Sequence, residues 1–113
     1  MNLTQSIDNR VKAGSYLTFR IEKDSYAIDV QYVERVVEYQ EVTHLPATPD
    51  FLLGVINLRD EVIPIISMRT LFGHQEKETT LDTSIIILEV TCDKSKLHFG
   101  IVADSVEEVI NLT

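Results

Sequence analysis

The sequence predicts a mainly β fold made of two related subdomains, and three observations lead there. Val and Ile together number 24 against four Ala, and β-branched side chains favour pleated strands over helices. Short apolar runs recur between turn-forming clusters along the 113-residue chain. A shift of 73 residues lays residues 26–37 over 99–110, with Ile, Val, Glu and Val identical and the flanking aromatic, small and apolar character kept. Strand and turn order agree between the copies as well, which reads as a duplicated β unit.

Residues 1–14 are polar, lack the apolar segment of a secretory signal and read as a flexible leader before a single domain over 15–113. Residues 16–21 alternate Leu17, Phe19 and Ile21 with Thr18 and Arg20, and turn chemistry at 22–25 leads to a second strand at 26–29. Asp29 is placed to cap a short turn through Val33, after which residues 35–39 are extended and Pro46 and Pro49 mark an irregular connection. Residues 54–59, the acidic pair Asp60-Glu61 and residues 62–66 read as strand, turn and strand. Pro64 has no amide to donate, which predicts an edge strand or a bulge there. Ser67 caps one helical turn over 68–72 that Gly73 ends, and a polar connector covers 74–83. Ile85-Ile86-Ile87-Leu88 has no polar break, so both faces of this strand are expected to be covered. A hairpin around 92–96, a strand at 97–102 and a last segment at 106–112 complete the chain.

Ten basic residues face eighteen acidic ones, and the surplus is spread, with five against eight up to residue 50 and five against ten after it. Without a Lys or Arg run, such a surface repels both nucleic acid and anionic bilayers. A single cysteine, Cys92, precludes an intramolecular disulfide, and no apolar run approaches the roughly 18 residues of a membrane span, so the cytosol is expected. His44, His74, His98 and Cys92 fall into no metal-ligand spacing, no serine sits in a GxSxG elbow, and the glycines at 14, 54, 73 and 100 are isolated. Asp60-Glu61 and Glu107-Glu108 are neighbours that point to opposite faces of a strand, a poor acid/base pair. No catalysis, cofactor or metal is expected, and binding through shape and apolar area fits better.

The run Pro49-Asp50-Phe51-Leu52-Leu53-Gly54-Val55-Ile56-Asn57-Leu58-Arg59, followed by Val62-Ile63-Pro64-Ile65-Ile66 and Leu71-Phe72-Gly73, resembles the CheW coupling proteins of bacterial chemotaxis. The related regulatory domain of the CheA histidine kinase is similar too. Supporting segments are Tyr26-Ala27-Ile28-Asp29 and Gly100-Ile101-Val102-Ala103-Asp104-Ser105-Val106, and the resemblance spans residues 16–112. It implies two small SH3-like β-barrels that share an intermediate core. It also implies a cytoplasmic, non-catalytic adaptor at receptor arrays beneath the inner membrane. One surface would grip the cytoplasmic hairpin tip of a chemoreceptor and another would meet a CheA-type kinase regulatory domain. Carried over residue by residue, the receptor groove comprises Val33, Val36, Gly100, Val102 and Val106, while Arg59 is a contact or a structural brace.

Three departures stand out: Asp60 replaces the family's glycine, Ser67-Met68 replaces Asp-Leu, and Arg35 stands where an acidic residue is common. Family members also continue into closing strands and a terminal helix. The second barrel is therefore expected to lack counterparts of residues 54–66, leaving strands near 99–102 and 106–110 unpaired and the chain prone to self-association. The alternatives are a CheW-like docking domain for another partner and, in a different class, a small β-barrel hydrolase or ligand-binding protein using His44, His74 and His98.

Overall fold

The computed structural model describes residues 14–76 and 78–112. The expected leader lies outside the described residues, apart from Gly14, which already belongs to β1. Chain order runs β1 (Gly14–Ile21), β2 (Asp24–Asp29), a 3-10 turn (Val30–Tyr32), β3 (Val33–Glu38), β4 (Leu52–Leu58) and β5 (Glu61–Ile66). It continues with α1 (Met68–Leu71), β6 (Ser84–Cys92), β7 (Ser95–Ala103) and β8 (Ser105–Leu112).

Local chemistry sets the joints between these elements. An Asp29 carboxylate oxygen accepts from the Gln31 amide at 2.9 Å and so opens the 3-10 turn. The Ser67 hydroxyl accepts from the Thr70 amide and caps α1, and Gly73, at φ 83°, ends it. Two tight hairpins turn through paired positive φ angles, Arg59 and Asp60 at 52° and 66°, Asp93 and Lys94 at 48° and 68°. The first turn thus sits one residue before the expected Asp60-Glu61, because Asp tolerates the left-handed region while Glu61 is already the first residue of β5.

Among the described residues the strands form two sheets, ordered β2-β1-β8 and β3-β6-β7-β5-β4. Each hairpin takes its third strand from the other half of the chain: β8 pairs with β1, and β3 pairs with β6. Order β2-β1-β8 therefore repeats as β7-β6-β3, which is the duplicated unit seen in the sequence, with the third strands exchanged. The exchange corrects one expectation. β7 is not an open edge, since β6 pairs along its length and β5 joins it in parallel at Gly100 and Ile101. Residues 106–110 are not unpaired either: β8 pairs with β1, and β8 and β2 are the two ends of their sheet.

β5 is likewise interior to its sheet rather than an edge. Its ladder with β7 begins at Ile65, so the missing amide of Pro64 falls outside that ladder. A bridge with two backbone hydrogen bonds, Thr43 to Val55, links the segment after β3 to β4 at the far side of the same sheet. Gly54, at φ 150°, makes that approach possible, because a Cβ there would lie 2.0 Å from the Thr43 carbonyl oxygen.

Alternate side chains of β6 enter two different cores. Ile86 and Leu88 join Leu17, Phe19, Ile21, Ile101 and Ala103 in the first, whereas Ile85 and Ile87 join Val42, Ile56, Ile63 and Ile65 in the second. The apolar run is thus covered on both faces, as expected. Each buried Ile contributes about 1.5–3 kcal/mol of hydrophobic stabilisation, so this strand is the layer on which both subdomains rest.

Candidate functional site

Four of the candidate groove residues divide between the two faces of the five-stranded sheet, and Val106 lies in the three-stranded one. Val33 lies opposite Leu88 and Val36 opposite Ile86, so both face the first core. Strict alternation would send residues three apart to opposite faces. A β-bulge between Val33 and Arg35 inserts Glu34 as an extra residue and restores Val36 to the Val33 side. Val33 packs on the core, while Val36 remains 42% exposed. Val106 lies opposite Phe19 on β8 and also packs on the first core.

Gly100 and Val102 face the other way. Gly100 is buried, and a Cβ there would lie 2.8 Å from Ile65 Cδ1 and from Ile85 Cγ2; Val102 packs on the second core. Arg59 is exposed on the β4–β5 turn. The structure thus gathers Val33, Val36 and Val106 on the first-core side, places Gly100 and Val102 on the second-core side, and leaves Arg59 at a hairpin tip.

Two polar constellations appear that no sequence-local motif announces. The buried guanidinium of Arg69, in α1, bonds Asp104 and Glu22, with Nε 3.2 Å from Asp104 Oδ1. Asp104 also accepts from the Glu22 amide at 2.9 Å. Burial opposes the Arg69 charge, but its bonds to Asp104 and Glu22 prevail and raise its pKa above the usual value. Glu22 sits in the β1–β2 turn and Asp104 between β7 and β8, so Arg69 braces the two sheets against each other.

The second constellation lies on the second-core side of β7, where half-buried His98 meets carboxylates from three other strands. Nδ1 is 2.6 Å from Glu61 Oε2, and Nε2 is 2.8 Å from Glu89 Oε2 and 3.1 Å from Glu34 Oε2. Bonds to Glu89 and then Glu61 raise the His98 pKa above its ordinary value, and the bond to His98 lowers that of Glu89. Ligand-type atoms of Glu34, Glu89 and His98 lie within 4.8 Å of one another. With the ring protonated, both nitrogens carry N–H groups that face carboxylates, and the four side chains form an ion-pair cluster.

A cleft of about 240 Å³, lined by His44, Tyr39, Ser67, Arg69 and Val102 among others, falls below the roughly 300 Å³ at which small-molecule sites begin. His44 is the one histidine in it, and its Nδ1 lies 2.9 Å from the Leu53 carbonyl oxygen. The histidines are therefore dispersed between this cleft and the carboxylate cluster, with His74 just after α1. Among the described residues, no helix is long and apolar enough to cross a membrane.

Comparison with known proteins matches residues 15–113 to the CheW-like domain. The chemotaxis protein CheW of Klebsiella aerogenes is 36% identical over 87% of this chain and 57% of its own length. The CheW of Treponema pallidum is 35% identical over 83% of this chain and 55% of its own. This chain thus spans about half the length of those relatives. The crystal structure of the scaffolding protein TtCheW from Thermoanaerobacter tengcongensis superposes with a TM-score of 0.79 at 30% identity, covering 93% of this chain and 66% of that one. Sequence identity and strand arrangement agree over nearly the whole described fold, and the chain belongs to the CheW-like domain family.

Proposed function

We propose that this chain is a non-catalytic adaptor that couples chemoreceptors to a CheA-type histidine kinase in bacterial chemotaxis. The observation that carries this reading is the CheW-like domain over residues 15–113, supported by the likeness to a solved chemotaxis scaffold. The bulge on β3 supports a docking role. It sets two valines on one face and leaves Val36 solvent-exposed on the strand that ends the sheet order. A receptor hairpin tip would lay apolar side chains against Val33, Val36 and Val106. The kinase regulatory domain would occupy a separate surface.

Pull-down of purified chain with a receptor hairpin fragment and, separately, with a kinase regulatory domain tests this. Capture of both supports the adaptor. Capture of neither, by chain that is folded by circular dichroism, rejects it. Receptor binding should weaken little between low and moderate salt, because apolar contacts are not screened as exposed ion pairs are.

A further inference from the structure

His98 stands at the centre of a row of four neighbouring strands, and its ring has a carboxylate oxygen within hydrogen-bonding distance of each nitrogen. A neutral imidazole carries one N–H and one lone pair. In that state one nitrogen would present its lone pair to an ionised oxygen, which is repulsive. The imidazolium donates from Nδ1 to Glu61 and from Nε2 to Glu89, and its charge also pairs with Glu34. Three strands, β5, β6 and β3, are thereby tied to β7 through one side chain.

Glu34 is the bulged residue of β3, without a ladder partner on β6, and the contact to His98 anchors it. We propose that His98 is a proton-operated latch: charged, it holds the β3 bulge to the sheet, and neutral, it releases that bulge.

The groups facing the ring are Glu34 from β3, Glu89 from β6 and Glu61 from β5. Around them, Arg35 bonds Glu34 at 3.3 Å and Lys96 of β7 reaches Glu89 at 3.5 Å. These two cations partly balance the carboxylates but leave the ring faced by oxygen on both sides. Because the His98 pKa is raised on folding, its contribution is full below the ordinary histidine value of about 6.5 and is lost as pH rises through the raised value. Glu89 is lowered, so its contribution is lost in the opposite direction, as pH falls through its folded-state pKa. The latch is closed between those two limits. A consequence for receptor docking follows because Val33 and Val36 flank the bulge, and that consequence alone rests on the adaptor reading.

The test follows the His98 ring by NMR from pH 5 to 9 in the whole chain, and over the same range measures amide protection factors in β3 and β8. His98 should titrate above the ordinary value. Over that same interval β3 protection should fall, by up to about tenfold per unit of pKa elevation, while β8 protection stays flat. His98→Gln should make β3 protection low and independent of pH, and Glu34→Gln should reduce the dependence. A His98 titration at or below the ordinary value, or β3 protection flat through the transition, overturns the latch. So does tightening of β3 by added zinc above the transition, which would assign the cluster to a metal instead. No partner enters these measurements. Failure of receptor binding at every pH, with the latch titrating as described, would reject the adaptor reading alone.

Discussion

The two hairpin units share a backbone design and differ in chemistry. β8 carries a bulge against β1 between the Val106 and Val109 positions, as β3 carries one against β6, and the 73-residue shift superposes Val106 on Val33 and Glu107 on Glu34. In the first unit the residue beside the bulged glutamate is Ser25, whose hydroxyl donates to Glu107 at 3.1 Å. In the second it is His98, beside Glu34. Arg20 lies opposite Ser25, but Glu89 lies opposite His98. One duplicated joint is thus pinned by a hydroxyl that does not titrate near neutrality, and the other by a ring that does. Geometry was kept while the response to pH diverged.

Perturbing the two units in parallel should separate their roles. The largest loss belongs to the brace between them: Arg69→Ala removes the buried cation that Glu22 and Asp104 share and should cost about 3 kcal/mol by urea denaturation. An effect below about 0.5 kcal/mol would show that the sheets hold together without it.

Next comes a matched pair, because Gly100 and Ala27 superpose under the same shift. Gly100→Val overpacks the second core against Ile65 and Ile85 and should cost about 1–3 kcal/mol. Exposed Ala27 meets no such wall, and Ala27→Val should stay within about 0.5 kcal/mol. Equal losses in thermal unfolding would mean that the units are covered alike.

Asp60→Gly relieves a left-handed residue in the β4–β5 turn, φ 66°, and should raise stability by about 0.5–1 kcal/mol. The smallest effect is a transplant. Ser25→His faces Arg20 rather than a second carboxylate, so by NMR its ring should titrate near the ordinary value of about 6.5. A value raised as far as that of His98 would show that Glu107 alone suffices and that Glu89 is not decisive.

Local chemistry made much of this fold legible. Asp29, Ser67 and Gly73 act as the caps their side chains and flexibility predict, and the unbroken Ile85–Leu88 run lies between two cores because no polar residue gives it a solvent face. The CheW-like family was legible from the run ending in Asn57-Leu58-Arg59 and its flanking motifs. Long-range choices were not. Which third strand joins which hairpin depends on pairing between residues about 90 positions apart, such as Leu17 with Val109, so the local pattern leaves both 99–102 and 106–110 without a visible partner. The bulge at Glu34 is a matter of register with β6: the two polar residues between Val33 and Val36 break alternation, but they do not say which strand sets the register. The resemblance groups Gly100 and Val102 with Val33, whereas the sheet carries a core on each face and these residues lie toward different ones. The His98 cluster draws on four strands, and Glu34, Glu61, Glu89 and His98 have no shared spacing to notice.

The adaptor account is tested most directly by calorimetric titration of a receptor hairpin fragment into wild-type chain and into Val36→Glu. Val36 is 42% exposed, so the substitution should leave the unfolding midpoint nearly unchanged. An unpaired carboxylate buried in an apolar contact costs on the order of 2 kcal/mol or more, so affinity should fall at least about tenfold. Undiminished affinity in the folded variant would contradict the account, because it would remove β3 from the receptor surface.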